Sequence, residues 1–177
     1  MPWAFGKAAA MVVSTRRRIL ETTAGTGDSP PVRHLAVVVG YDGSEPARHA
    51  LDLAADLLRG REGTLEVVYV AHLPAGAALS GRGVAEILRA HDEQATLLAE
   101  EVRHRLLGED HPWHFQRRDG RVGAELMAVA TDLHGRYGDT AEVVIVVGGS
   151  AHRYHQLAGS VGSSVVRSDR FPVMVVP

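Results

Sequence analysis

The sequence predicts a single α/β domain with an open five-stranded parallel sheet and four helices on both faces, a Rossmann-like fold. Short runs of Val, Ile and Leu alternate along the chain with longer segments in which apolar residues recur at helical spacing. Strands that alternate with helices favour a parallel sheet. Most of the short runs contain no polar residue, as expected of strands covered on both faces.

The order of the strands follows from their composition. The predicted strands are 35–39, 64–71, 113–117, 143–147 and 172–176. The third alternates and carries charge, which is typical of an edge strand. With right-handed crossovers, an edge position for the third strand favours the order 3-2-1-4-5. The last strand would then form the second edge of the sheet.

Four segments have the apolar periodicity of amphipathic helices: 45–59, 84–107, 122–133 and a short one at 160–168. The second is the longest, and His91 falls on its apolar stripe. We therefore expect His91 to be a histidine near the core whose hydrogen bonds are satisfied.

Residues 1–32 differ from the rest, and we interpret them as a flexible N-terminal extension and linker preceding a domain at 33–177. The segment 22–31 is small, polar and punctuated by Gly and Pro. A helix over 11–20 that docks on another surface is the alternative. Deletion of the extension is expected to leave the domain stable.

Composition excludes several classes of function. The 177 residues have a formal net charge of −2 with no basic stripe, which argues against nucleic-acid binding. The absence of cysteine removes disulfides, thiolate metal sites and cysteine nucleophiles, and fits a reducing cytoplasm. No apolar run approaches the roughly 20 residues that span a bilayer. We expect a soluble cytoplasmic protein without nucleic-acid or membrane partners.

A ligand site is expected where the strand order reverses, between strands one and four, beyond their carboxyl ends. The loops at 40–44 and 148–160 meet there, and both are rich in glycine. A helix that begins at Gly159-Ser160 would present free N–H groups to an anion. The alternative is that Ser160 caps the helix and the glycines only turn the chain.

Four segments together resemble the universal stress protein family: 37–47, 143–148, 159–161 and 171–177. The resemblance covers 33–177 in the family's order. It implies a fold of the adenine nucleotide α-hydrolase type and a dimeric, ATP-associated stress-response module, often without catalytic activity. The implied cofactor is ATP or another adenine nucleotide, AMP or ADP.

The family's phosphate-binding signature is glycine, two residues, glycine, nine residues, then glycine and Ser or Thr. Gly159-Ser160 matches its end, and Val161 and Gly162 continue the predicted helix start. Gly148 and Gly149 follow the fourth strand, but Gly148 lies eleven positions before Gly159, where the signature requires thirteen. The loop is two residues short, so we expect weak binding and a preference for fewer phosphates than ATP carries.

The adenosine side of the family's site matches more closely. Asp42 matches the acidic residue that meets the adenine, with Gly40 before it. Val70 and Val147 match the family's positions at the ends of strands two and four. The alternative for Asp42 is an Asx turn before Gly43.

Histidine pairs at a spacing of three, His111 with His114 and His152 with His155, lack an obvious third ligand. The sequence shows no nucleophile elbow, no intact P-loop and no paired acids at strand ends, which are motifs that would indicate catalysis. We therefore predict a nucleotide-binding regulatory module. The alternatives are an interaction module that has lost nucleotide binding and, more distantly, an ATP-hydrolysing or adenylating enzyme.

Assembly is predicted from the last strand. Residues 171–176 carry no charge, and an exposed apolar edge invites pairing. Antiparallel pairing with the same strand of a second chain would give a homodimer, as the resemblance also implies.

Overall fold

The computed structural model describes residues 11–12, 34–71, 81–149 and 170–177. The elements in chain order are β1 (Met11–Val12), β2 (His34–Gly40), α1 (Glu45–Leu58), β3 (Gly63–Ala71), α2 (Gly81–Arg105), β4 (Trp113–Asp119), α3 (Val122–Tyr137), β5 (Ala141–Gly148) and β6 (Val173–Val176). A 3-10 turn, Gly138–Thr140, leads into β5. In the described ranges no helix is long and apolar enough to cross a membrane.

The sheet has the order β1-β6-β5-β2-β3-β4. Neighbouring strands from β6 to β4 are parallel, so the predicted five-stranded parallel sheet and its order are confirmed. The charged strand β4 lies at an edge, as its composition predicts. Three α-helices are described, and the predicted fourth, at 160–168, lies outside the described residues.

The predicted second edge is wrong, because β6 is not the last strand of the sheet. Strand β1, from the N-terminal extension, pairs antiparallel with it, Met11 opposite Val175 and Val12 opposite Met174. A two-residue strand is too short to show a periodicity, so no sequence pattern indicates it. At these two residues the extension is part of the sheet.

The sheet separates two apolar layers. Helices α1 and α2 cover one face and α3 the other. Adjacent residues of the central strand β2 face opposite layers, Val37 and Val39 towards α1 and α2 and Val38 towards α3, and all three are fully buried. This alternation follows from the period of two in a strand.

Helix α1 begins where the sequence supplies a cap. Ser44 is the N-cap, with its side-chain oxygen accepting a hydrogen bond from the Ala47 amide, and Pro46 lies in the first turn. The buried face is built mostly of alanines, which lets the helix approach the sheet closely; its members are Ala47, Ala50, Leu51, Ala54, Ala55 and Leu58. The start of α1 is therefore fixed beside the carboxyl end of β2.

Candidate functional site

The carboxyl ends of β2, β3 and β5 bring together the predicted adenosine-side residues. Gly40 ends β2 and lies in register with Val68 of β3 and Val147 of β5. Val70 lies two residues beyond Val68, and both Val70 and Val147 are half-buried against the α3 layer. The strand order reverses between β2 and β5, the position at which open α/β sheets bind ligands.

Gly40 leaves room for helix α3 at this point. A Cβ at Gly40 would lie 3.2 Å from Leu126 Cδ1 and 3.3 Å from Val147 Cγ1. The approach is tight but involves only side-chain atoms. The glycine therefore lets α3 lie close to the end of β2.

Asp42 forms the Asx turn that was the alternative interpretation of this residue. Its Oδ1 accepts a hydrogen bond from the Ser44 amide at 3.0 Å, and the side chain is exposed. Gly43 follows with φ of +75°, which favours glycine, and its Cα faces Leu98 of α2 so closely that a Cβ would lie 2.7 Å from Leu98 Cδ2. The turn is thus held from within and braced by α2.

Gly148 and Gly149 have structural tasks at the end of β5. A Cβ on Gly148 would lie 2.4 Å from the Pro46 carbonyl carbon and 2.5 Å from the Ala47 nitrogen. The Gly149 amide donates a hydrogen bond to the Val176 carbonyl at 2.6 Å. Gly148 therefore permits the contact between β5 and the first turn of α1, and the Gly149 N–H is engaged by β6.

The other predicted phosphate-side residues, Gly159, Ser160, Val161 and Gly162, lie outside the described residues. So does the histidine pair His152 and His155. Their predicted roles stay predictions.

A polar cluster that was not among the predicted site residues lies next to the Asp42 turn. The Tyr41 hydroxyl donates to Glu101 Oε1 at 2.8 Å, the Arg48 Nε donates to the same oxygen, and Arg48 Nη2 donates to Glu101 Oε2 at 3.3 Å. Tyr41 follows β2, Arg48 lies on α1 and Glu101 lies on α2. One carboxylate therefore joins three elements directly behind the turn.

Interactions within this cluster shift the pKa values of Glu101 and Tyr41. Hydrogen bonds from Arg48, supported by Tyr41 and the charge of Arg105, hold the pKa of Glu101 below its usual value. Burial, together with the hydrogen bond to Glu101, raises the pKa of Tyr41. At neutral pH the cluster therefore holds an ionised Glu101 and a protonated Tyr41.

A sequence signal for this cluster exists, although it is weak. Arg48 follows Ala47 of the α1 stripe, and Glu101 precedes Val102 of the α2 stripe, so both flank buried positions. Polar residues that border an apolar stripe often reach a neighbouring element. Which border residues meet depends on how the helices dock, and the sequence does not state that.

Histidine does not form a metal centre in the described part of the chain, where no three His, Cys, Asp or Glu side chains group for a cation. His111 is buried beside Glu109, and His114 is paired with Glu66 at 3.3 Å. His91 accepts or donates a hydrogen bond at 3.0 Å with the Tyr69 hydroxyl. His91 is half-buried, and with this hydrogen bond the expectation of a satisfied histidine near the core is confirmed.

The profile of the universal stress protein family matches residues 35–177. A comparison with curated protein sequences returned no match.

Among solved structures, the universal stress protein from Lactobacillus plantarum is similar with 19% identity and a TM-score of 0.64, over 82% of this chain and 99% of that one. A universal stress protein in complex with cAMP shares 20% identity at a TM-score of 0.57, over 82% and 98% of the two chains. A family protein from Arabidopsis thaliana with AMP bound shares 14% identity at a TM-score of 0.50, over 80% and 90%. At these identities the likeness establishes the fold.

Proposed function

Because the chain belongs to the universal stress protein family, we propose that it is a regulatory module that binds an adenine nucleotide and performs no catalysis of its own. One observation carries the proposal: Gly40, Asp42, Val70 and Val147 come together at the carboxyl edge where the strand order reverses. Two similar proteins, one in complex with cAMP and one with AMP bound, support the ligand class.

The bound nucleotide is proposed to carry fewer phosphates than ATP. The spacing of Gly148 and Gly159 makes the loop after β5 two residues shorter than the family's phosphate-binding signature requires. Gly149, at the start of that loop, donates its N–H to Val176. Fewer backbone donors are then left for the outer phosphates, and each charge-assisted hydrogen bond lost is worth about 1.5–3 kcal/mol.

The test is a calorimetric titration of the full chain with ATP, ADP, AMP and cyclic AMP. The proposal expects AMP or cyclic AMP to bind more tightly than ATP. Tighter binding of ATP than of AMP would contradict the preference for fewer phosphates. If none of the four nucleotides binds at millimolar concentration, the proposal of nucleotide binding is wrong.

Two substitutions at Asp42 separate its two tasks. Asp42→Asn keeps an oxygen that can accept from the Ser44 amide, but it replaces the other oxygen with an NH₂ group, which cannot accept from the adenine amino group. Asp42→Ala removes both side-chain oxygens. If the carboxylate meets adenine, both variants lose affinity for every adenine nucleotide; if only the turn matters, Asp42→Asn binds normally.

Asp132→Ala is the matched control, because Asp132 is also exposed but lies in the second half of α3, away from the carboxyl edge. It is expected to leave every affinity unchanged. A loss of affinity for Asp132→Ala similar to that for Asp42→Ala would point to a general effect of charge and not to a site at Asp42.

An interaction module without nucleotide binding is the second candidate. It is favoured by the structural tasks that three candidate residues already have: Asp42 in its Asx turn, Gly148 against Pro46, and Gly149 bonded to Val176. These contacts account for the three residues without a ligand. The titration above decides between the two candidates.

We further propose that the protein acts in the cytoplasm, as its lack of cysteine favours, and that it assembles as a homodimer through β6. Strand β6 contains no charged residue, which suits burial against a second chain. Its outer side is paired with β1 at Met174 and Val175. Assembly there requires β1 to leave.

A further inference from the structure

The carboxyl edge of the sheet has a step between β2 and β3. Gly40 ends β2 in register with Val147 of β5 and with Val68 of β3. Strand β5 ends one residue later, whereas β3 continues for three residues to Ala71, with β4 beside it. At about 3.3 Å per residue, the two longer strands project roughly 10 Å beyond the end of β2. They therefore form a wall beside the point where the strand order reverses.

Val70 and Arg118 are neighbours on one face of this wall. They pair in register on β3 and β4, so their side chains point to the same side of the sheet. Val70 packs against the α3 layer, and Arg118 is paired with Glu125 in the first turn of α3. Arg118 is therefore the next side chain beyond Val70 on the α3 face.

Arg118 is less firmly held than the preceding residue, Arg117. Arg117 faces the other side of the sheet, where its two Nη atoms donate hydrogen bonds to Asp92 and Asp119. The Arg118 side chain is 34% exposed, and its Nε lies 3.2 Å from Glu125 Oε2 but makes no hydrogen bond within the described part of the chain. Charge attraction therefore keeps Arg118 beside α3, without a hydrogen bond at Nε that would fix the plane of the guanidinium.

We propose that the Arg118 guanidinium stacks on the purine ring of the bound nucleotide, with Val70 as the apolar part of the same contact surface. The inference rests on the proposed nucleotide binding and names the residue that contacts the base. A guanidinium is planar and weakly hydrated, it packs on the faces of aromatic rings, and arginine side chains bind unstacked bases in this way. Because Gly40 and Val147 end level at the foot of the wall, a ring placed over the ends of β2 and β5 lies beside Val70 and Arg118.

The position of Arg118 suits the base and not the phosphates. The predicted phosphate-binding residues follow β5, and strands β2 and β3 lie between β5 and β4 in the sheet. Three strand spacings, about 14 Å, therefore separate β5 from the strand that carries Arg118. The contribution of Arg118 to affinity should not depend on how many phosphates the nucleotide carries.

The test is a calorimetric titration of the full chain and two Arg118 variants with adenosine, AMP, cyclic AMP and ATP. Arg118→Ala removes the guanidinium, whereas Arg118→Lys keeps a positive charge but not the planar group. We expect both variants to lose about five- to ten-fold in affinity for every ligand that the unmodified chain binds, as the loss of one stacking contact predicts. Arg136→Ala is the matched control, because it removes an exposed arginine from the last turn of α3, and it should change no affinity.

The outcomes separate this inference from the proposed function. If the unmodified chain binds none of the four ligands, nucleotide binding itself is wrong. If it binds them and Arg118→Ala binds equally well, or Arg118→Lys restores the affinity in full, the stacking contact is wrong.

Two further results would also overturn the stacking contact. A loss that grows with the number of phosphates would mean that Arg118 acts through its charge, and an equal loss for Arg136→Ala would mean a general effect of net charge. Urea unfolding of each variant checks that it remains folded. If Arg118→Ala does not fold, the comparison of Arg118→Lys with Arg136→Ala still decides.

Discussion

Gly40 ends β2 and Gly148 ends β5, so both lie at the carboxyl edge of the sheet. The atoms that surround them differ. A Cβ on Gly148 meets backbone atoms of Pro46 and Ala47 within 2.6 Å, whereas a Cβ on Gly40 meets only side-chain atoms at 3.2 Å or more. Backbone at the start of α1 cannot move without disturbing its cap, but the tips of Leu126 and Val147 can shift. The two glycines therefore differ in their tolerance of a methyl group.

We expect Gly148→Ala to lower the free energy of unfolding by about 3 kcal/mol, and Gly40→Ala by about 1 kcal/mol, as overpacking costs of this kind indicate. Urea unfolding at neutral pH measures both. Equal costs would show that the first turn of α1 moves freely relative to β5.

Glu101 makes part of the stability depend on pH. Because its folded pKa is lowered from the usual value of 4.5, the unfolded chain takes up the proton first as the pH falls. The stabilisation is therefore fully present above about pH 5 and is lost as the pH drops below 4.5 through the folded pKa. Glu101→Gln should cost about 1–2 kcal/mol at pH 7, with a smaller difference from the unmodified chain at pH 3.5.

Urea unfolding of both proteins at the two pH values measures this. Glu100→Gln is the control, since Glu100 is exposed and is paired with Arg103 one turn away on the same helix. A Glu101→Gln deficit that stays constant down to pH 3.5 would contradict an ionised Glu101 as its cause.

The same residue type often suits two tasks, which limits what sequence can predict at this scale. Asp42 before Gly43 fits an adenine contact and an Asx turn equally, and the turn is what the structure contains. Gly148 fits an anion-binding loop and a close helix contact, and the contact with Pro46 exists. Only the positions of neighbouring elements distinguish such alternatives, and a ligand task on top of them stays a prediction.

Among the elements, α2 shows how unevenly a long helix is bound to the sheet. Its buried residues are Ala95, Leu98 and Val102, with Leu106 just after its end, while Leu97 is 67% exposed. Leu98 also packs beneath Gly43 of the Asp42 turn. This part of α2 therefore supports both the core and the candidate site.

Adjacent leucines give a matched test. Leu98→Ala should lower the free energy of unfolding by about 3 kcal/mol, and Leu97→Ala by less than about 0.5 kcal/mol. If α2 braces the turn, Leu98→Ala should also weaken nucleotide binding at temperatures where the variant remains folded. Unfolding in urea and calorimetry measure the two effects, and equal stability of the two variants would contradict the docking of α2.

Elements with a clear periodicity were predictable, and β1 was not. Segments such as α1 and β2 carry their apolar pattern within themselves, so the sequence places them to within a few residues. Strand β1 consists of two residues whose only strand property is their pairing with β6. That pairing depends on a partner more than 160 positions away, which no local pattern records.

At the scale of the whole molecule, the strand order was predictable because few arrangements satisfy right-handed crossovers with a charged edge strand. The two covering layers follow from that order, since consecutive helices on one side of the reversal share a face. The phosphate side of the site is less predictable, because the spacing of Gly148 and Gly159 does not match the family's signature.

The central strand makes the two layers one cooperative unit. Val37 is fully buried in the layer of α1 and α2, and Val38, its neighbour, is fully buried in the layer of α3. Either substitution to Ala removes two methyl groups and should lower the free energy of unfolding by about 2 kcal/mol.

If β2 transmits the loss to both layers, Val37→Ala and Val38→Ala should each shift a single urea transition, with an unchanged slope, when followed by far-UV circular dichroism. Hydrogen exchange should show the same loss of protection in α1 and α3 for both variants. A second transition, or protection lost in α3 alone for Val38→Ala, would mean that the α3 layer unfolds on its own.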